Sequence, residues 1–220
     1  MNFVLISVEG QTEETFVRDV LRKHLWDFNV DLQPVLIATH QVKQGPDFKG
    51  GLLSYGKTQN QIRYLLNNSN ATAVTTMYDL YHLPKDFPGQ TNLPKANGHS
   101  KALHLENAFK QNINSSKFHP YLQVHEFEAF LFVNPVLTAS LMTGRNNLST
   151  QLQAIRQGFP TPEDINDDPI TAPSKRILSL YPRYEKLLDG PIITLNVGLD
   201  AIRAECPHFA DWVTWLEGLG

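Results

Sequence analysis

Residues 3–8, Phe-Val-Leu-Ile-Ser-Val, form a nearly unbroken apolar run that stops at Glu9-Gly10. A short continuous run of this kind predicts a strand buried on both faces, as in parallel sheets. Beyond it the period changes, and Phe16, Val17, Val20, Leu21 and Leu25 recur at helical spacing. Thr12 is the expected N-cap of that helix, with Glu13 and Glu14 in its first turn, where the helix dipole favours acids. The alternation then repeats. Residues 35–38 predict a second strand, residues 43–57 (Gly45, Gly50, Gly51, Gly56) a loop, and residues 58–67 a helix on Ile62, Leu65 and Leu66. Residues 71–78 are rich in β-branched side chains and predict a third strand ending at Asp79. A Pro- and Gly-containing loop over 83–98 and a helix over 99–113 follow, then a fourth strand over 121–125, and 126–132 opens another helix. Strands alternating with helices predict an α/β fold: a parallel-sheet core with helices on both faces.

After about residue 133 the strand signal fades, and prolines such as Pro160, Pro173, Pro191 and Pro207 divide the chain into short helices. The expected organisation is a core over 1–133 and a mainly helical subdomain over 134–220, packed on the core as one unit.

Composition narrows this picture. The chain has 220 residues and a net charge of −3, with no apolar run approaching the roughly 20 residues of a membrane span. Neither a membrane anchor nor a secretory signal is expected, and the expected location is the cytoplasm. The single cysteine, Cys206, excludes an internal disulfide framework and a Cys-rich zinc site. No phosphate-binding Gly-x-x-x-x-Gly-Lys-Ser/Thr loop occurs, so the chain is not itself a P-loop NTPase. The charge is unevenly spread: residues 1–133 hold 12 basic and 12 acidic side chains, and residues 134–220 hold 7 and 10. The deficit therefore lies wholly in the helical part.

In open parallel sheets, ligands bind beyond the carboxyl ends of the strands. Three predicted strand ends carry acids: Glu9, Asp79 and Glu126, with Glu128 two residues on. Neighbouring strands would gather these carboxylates, and hard oxygen ligands suit Mg²⁺ or Mn²⁺. Such ions activate water and stabilise the leaving oxygen in phosphodiester cleavage. The competing reading is that a strand-end Asp forms a turn and that Glu13 only complements a helix dipole. His125 reads either as a proton shuttle or as a strand-end histidine bonded to backbone. Lys175 and Arg176, at an expected helix start, read as a phosphate clamp or as a solvated face.

The stretch from Val8 to Val17, with a Glu-Gly turn between strand and helix, resembles the opening of the Toprim fold. Four further stretches resemble the bacterial domain-of-unknown-function family 4276 over nearly the whole chain. They are Met77 to Gly89, His125 to Phe132, Pro173-Ser174-Lys175-Arg176 and Cys206-Pro207-His208-Phe209. That family is similar to the Toprim domains of overcoming-lysogenization-defect nucleases. It is often considered alongside ABC/SMC-like ATPases in phage defence. The resemblance implies a Toprim-like metal-dependent nuclease acting on DNA or RNA, with Mg²⁺ or Mn²⁺ as cofactor. Glu9 matches the Toprim glutamate, and Asp79 the first aspartate of its Asp-x-Asp pair. Tyr81 stands where the second aspartate belongs, so Glu126 and Glu128 would complete the metal ligands, and Lys175 or Arg176 would assist catalysis. The alternative is a non-catalytic regulatory or effector-binding subunit of an ABC/SMC-like ATPase system.

Overall fold

The computed structural model describes residues 1–37, 52, 54–142, 147–165 and 170–220. Most of the expected loop at 43–57, Ala38 and Pro169 lie outside them. The core is a parallel sheet in the order β2-β1-β3-β4, with β5 also paired to β3. Its strands are β1 (Asn2–Val8), β2 (Val30–Leu36), β3 (Ala73–Asp79), β4 (Phe118–His119) and β5 (Leu122–Gln123). The strand β1 pairs β2 on one side and β3 on the other, with Val8 opposite Leu36 and Met77. The chain thus winds first to one side of β1 and then to the other. The winding reverses between β1 and β3, and the carboxyl ends of strands at such a switch point are where open parallel sheets bind ligands.

Period-2 alternation divides the sheet residues between two cores. Val4, Ile6 and Val8 of β1 and Ala73 and Met77 of β3 face one core, while Leu5, Val74 and Tyr78 face the other. The second face is covered by α3 (Tyr55–Leu66) and α4 (Gly98–Ile113) through Ile62, Leu65, Leu105 and Phe109. The first face is covered by α1 (Gln11–Phe16), a π-helical turn (Val17–Leu21) and α2 (Arg22–Trp26). It is also covered by C-terminal helices: α7 (Pro173–Leu180), α8 (Lys186–Val197), α9 (Leu199–Glu205) and α10 (Pro207–Glu217). Helices α5 (Pro135–Leu141) and α6 (Leu148–Gln157) pack on one another beside this layer. Trp212 of α10 is buried, stacks on Tyr121 with centroids 4.3 Å apart, and donates Nε1–H to Thr75 Oγ1.

Several boundaries differ from expectation, each for a local reason. The second strand begins at Val30, because Val30 and Leu32 are buried between the partly exposed Asp31 and Gln33. It is an edge strand, which is why it tolerates Pro34. The expected fourth strand over 121–125 is β5 alone; a further short strand, β4, precedes it across Pro120, which has no N–H to offer a ladder. The strand β5 stops before His125, whose φ of +63° turns the chain out of the sheet. Residues Phe127–Phe132 are 3₁₀ rather than α-helical. The N-cap of α1 is Gly10, not Thr12. Thr12 is buried and donates its hydroxyl to the Lys186 carbonyl at 3.5 Å, fastening α1 to α8. Among the described residues no helix is long and apolar enough to cross a membrane.

Candidate functional site

The strand ends place the first two acids. Glu9 follows β1 directly, Asp79 closes β3, and the two strands are neighbours. The Asp79 backbone N–H donates to Glu9 Oε2 at 3.1 Å. Asp79 Oδ1 accepts from the Phe127 N–H at 2.9 Å, which ties the start of the 3₁₀ stretch to the end of β3. The first turn of α1 contributes Glu13, and the 3₁₀ stretch contributes Glu128, both buried.

These carboxylates converge on one ammonium. Lys186 Nζ, at the start of α8, lies 3.4 Å from Glu13 Oε1, 3.4 Å from Asp79 Oδ2 and 3.6 Å from Glu128 Oε2. The lysine side chain is 39% exposed, whereas those of the three acids are 2–7% exposed. Tyr184 donates its hydroxyl to Glu128 Oε1 at 3.5 Å. Glu13 Oε1 and Glu128 Oε2 are buried and accept no hydrogen bond.

The electrostatics follow from this crowding. Burial, then the Glu13 carboxylate, pushes the Glu9 carboxyl up to about 7, against the opposing pull of the Lys186 ammonium and the Asp79 N–H. Burial also holds Asp79 well above the ordinary carboxylate range, although Lys186 pulls the other way. Glu128 is raised by burial too. Burial works against the charge of Lys186, but Asp79, Glu128, Glu13 and Glu9 override it and keep the ammonium protonated well past its ordinary range. One ammonium thus faces four carboxylates, and the site is short of positive charge.

The remaining expected residues stand elsewhere. Glu126 is buried, but its Oε2 accepts the Ser174 N–H at 2.9 Å and so caps the first turn of α7. Lys175 is exposed on α7. Arg176 donates Nε–H to the Thr171 carbonyl at 2.6 Å and lies over the Phe159 ring. The His125 carbonyl accepts the Tyr81 N–H at 3.1 Å, and its ring lies against the start of α4 at Gly98. Tyr81 itself lies in the 3₁₀ turn Leu80–His82 that follows Asp79.

Lys186 and Tyr184 did not emerge from the sequence. Lys186 is 107 residues from Asp79, so no local spacing links them. One signal was available. A lysine in the first turn of a helix opposes the dipole, which marks a charge compensated from outside its own helix.

The donor set is chemically suited to a hard divalent cation: buried carboxylate oxygens, two of them without hydrogen bonds. Among the described residues, however, no three His, Cys, Asp or Glu side chains are arranged as a ready metal cage. Three of the acids are instead arranged around the Lys186 ammonium.

A parallel α/β sheet with a buried acidic cluster at its switch point defines the class of protein. Within that class the chain belongs to the family described as domain of unknown function (DUF4276), whose model matches residues 8–217. No curated protein and no solved structure matches the chain.

Proposed function

We propose that the protein is a Toprim-like, Mg²⁺- or Mn²⁺-dependent phosphodiester hydrolase that cleaves DNA or RNA. The observation that carries this reading is the convergence of Glu13, Asp79 and Glu128 on one point, with Glu9 bonded to Asp79, at the carboxyl ends of β1 and β3. Strands, helix and 3₁₀ stretch each contribute a carboxylate to a place where open sheets bind ligands. Glu9, Glu13, Asp79 and Glu128 would hold the cation, Glu128 standing in for the aspartate that Tyr81 replaces. Bound there, a divalent ion lowers the pKa of a water and neutralises charge on the phosphoryl oxygens. The chain's own residues prepare that chemistry. The Asp79 and Phe127 N–H groups orient the Glu9 and Asp79 carboxylates. Lys186, held among these acids, would offer its ammonium to a phosphate oxygen. The bacterial phage-defence setting, the cytoplasmic location and an ABC/SMC-like ATPase partner belong to the same proposal.

The test is cleavage of end-labelled single- and double-stranded DNA and RNA with Mg²⁺, Mn²⁺ or a chelator. Cation-dependent cleavage is expected from the wild type, with a loss of about 10²-fold or more in Glu9→Gln and Asp79→Asn. Equal rates in the three proteins would overturn the assignment. A second reading is favoured by the Lys186 ammonium already filling the cluster: a non-catalytic regulatory subunit whose site is a charge knot. Calorimetry separates the two, because only the enzyme reading expects Mn²⁺ to bind the wild type and not Asp79→Asn.

A further inference from the structure

The helix α8 is apolar on both sides. Gly190, Pro191, Ile193 and Thr194 face the interior and are buried. Leu187, Leu188, Ile192 and Leu195 are 52–59% exposed, and the remaining fully exposed residue of the helix is Asn196. Leu188, Ile192 and Leu195 stand at i, i+4 and i+7 and so form one stripe. A helix that is apolar all round is normally covered on all sides. On α5, which packs against α8, Val136 adds a further side chain 56% exposed.

We propose that this stripe is the two-fold interface between two copies of the chain, with α8 crossing its own symmetry mate near Ile192. The area fits. The three residues of the stripe and the adjoining Leu187, each about half exposed, together present on the order of 400 Å² of apolar surface, the size of the largest patch a monomer usually shows. Doubled about a two-fold axis, that is on the order of 800 Å², the apolar half of a standard interface of about 1,600 Å². The charge pattern selects the partner. The exposed stripe carries no charged side chain, so a partner recognised by opposite charge has nothing to pair with. An aliphatic ridge of i, i+4, i+7 spacing is complementary to a copy of itself, as an isologous contact requires. This inference does not depend on the chemistry of the carboxylate site.

The experiment is sedimentation of the full chain from low to high micromolar concentration, with an Ile192→Glu variant alongside. The wild type is expected at twice the 24.9 kDa chain mass and the variant at 24.9 kDa. The variant's circular dichroism and melting curve should remain native, since the side chain is exposed. A second variant locates the contact. The single native cysteine, Cys206, is buried, so Ile192→Cys carries one accessible thiol. Under mild oxidation it is expected to form a disulfide-linked dimer. A monomeric wild type at every concentration overturns the proposal. So does a dimer that survives Ile192→Glu, or one that Ile192→Cys fails to cross-link.

Discussion

At Glu9 burial and the Glu13 carboxylate act together, and the consequence is a measurable dependence on pH. The carboxyl is pushed from its ordinary value of 4.5 up to about 7, and Asp79 and Glu128 move in the same direction. Across the window from 4.5 to 7 these carboxyls bind more protons in the folded protein than in the unfolded chain. Stability contributed at this site therefore falls as pH rises through that window. Lys186 acts with the same sign in a different window: its charge is secure at neutral pH, and its contribution is lost as pH rises above its ordinary value of 10.5. Relative to Glu9→Gln, whose amide does not titrate, the wild type should lose melting temperature between pH 4.5 and 7; the half-buried His119, held down to about 4, is common to both proteins and cancels in the difference. An unchanged slope in Glu9→Gln would show that the strain lies in another group. Three of the four clustered acids, Glu9, Asp79 and Glu128, and the secondary candidate Glu13 were legible in the sequence. They lie just beyond strand ends or in a first helical turn. Lys186 was not, because its place is set by how α8 docks on α1 through Thr12, a contact between residues 174 apart.

At the scale of elements, two glycines near helix starts predict opposite outcomes for the same substitution. Gly98 opens α4, and a Cβ there would come within 2.6 Å of His125 Cε1 and 2.8 Å of Val124 Cγ1. The His125 backbone cannot simply withdraw, since it sits at φ +63° with its carbonyl bonded to Tyr81. Gly98→Ala should therefore lower stability by about 1–3 kcal/mol through overpacking, despite the better helix propensity of alanine. Gly56 in α3 has nothing within 4 Å of its would-be Cβ. There Gly56→Ala should raise stability by about 0.5–1 kcal/mol, through reduced freedom of the unfolded chain. Urea denaturation of the two variants reads both signs, and matching signs would refute the steric account. The same elements show what a linear pattern carries. Strands β1 and β3, buried on both faces, produce an apolar run and a β-branched run and were read within two residues of their true ends. The edge strand β2 alternates and was read only at its C-terminal end. The fourth strand was read at 121–125, which missed β4 and overran the turn at His125, because Pro120 and that turn act through hydrogen-bond geometry, which apolar spacing does not record.

At the scale of the whole molecule, the compositional break near residue 133 does not coincide with a break in packing. Val4, Ile6 and Val8 of β1 share one core with Ile177 of α7, Ile193 of α8, Ile202 of α9 and Phe209, Trp212 and Leu216 of α10. The rings of Phe16, Phe127, Phe130 and Phe209 meet within 4.9–6.0 Å across the same seam. Boundaries between independent domains fall where few contacts cross, and here the main core crosses. The proposed site is divided in the same way, with its acids before residue 133 and its ammonium on α8. Residues 1–133 alone are thus expected to leave one sheet face uncovered and the buried carboxylates without Lys186. That fragment should bind a hydrophobic dye and show no cooperative melt, while the full chain unfolds in a single transition. A fragment that melts cooperatively would show that the sheet can be closed by α1 and α2 without the C-terminal helices. Its failure to fold, together with a single transition in the full chain, would mean that the helical half is the second layer of the fold. The acidic cluster would then exist only when both halves are folded together.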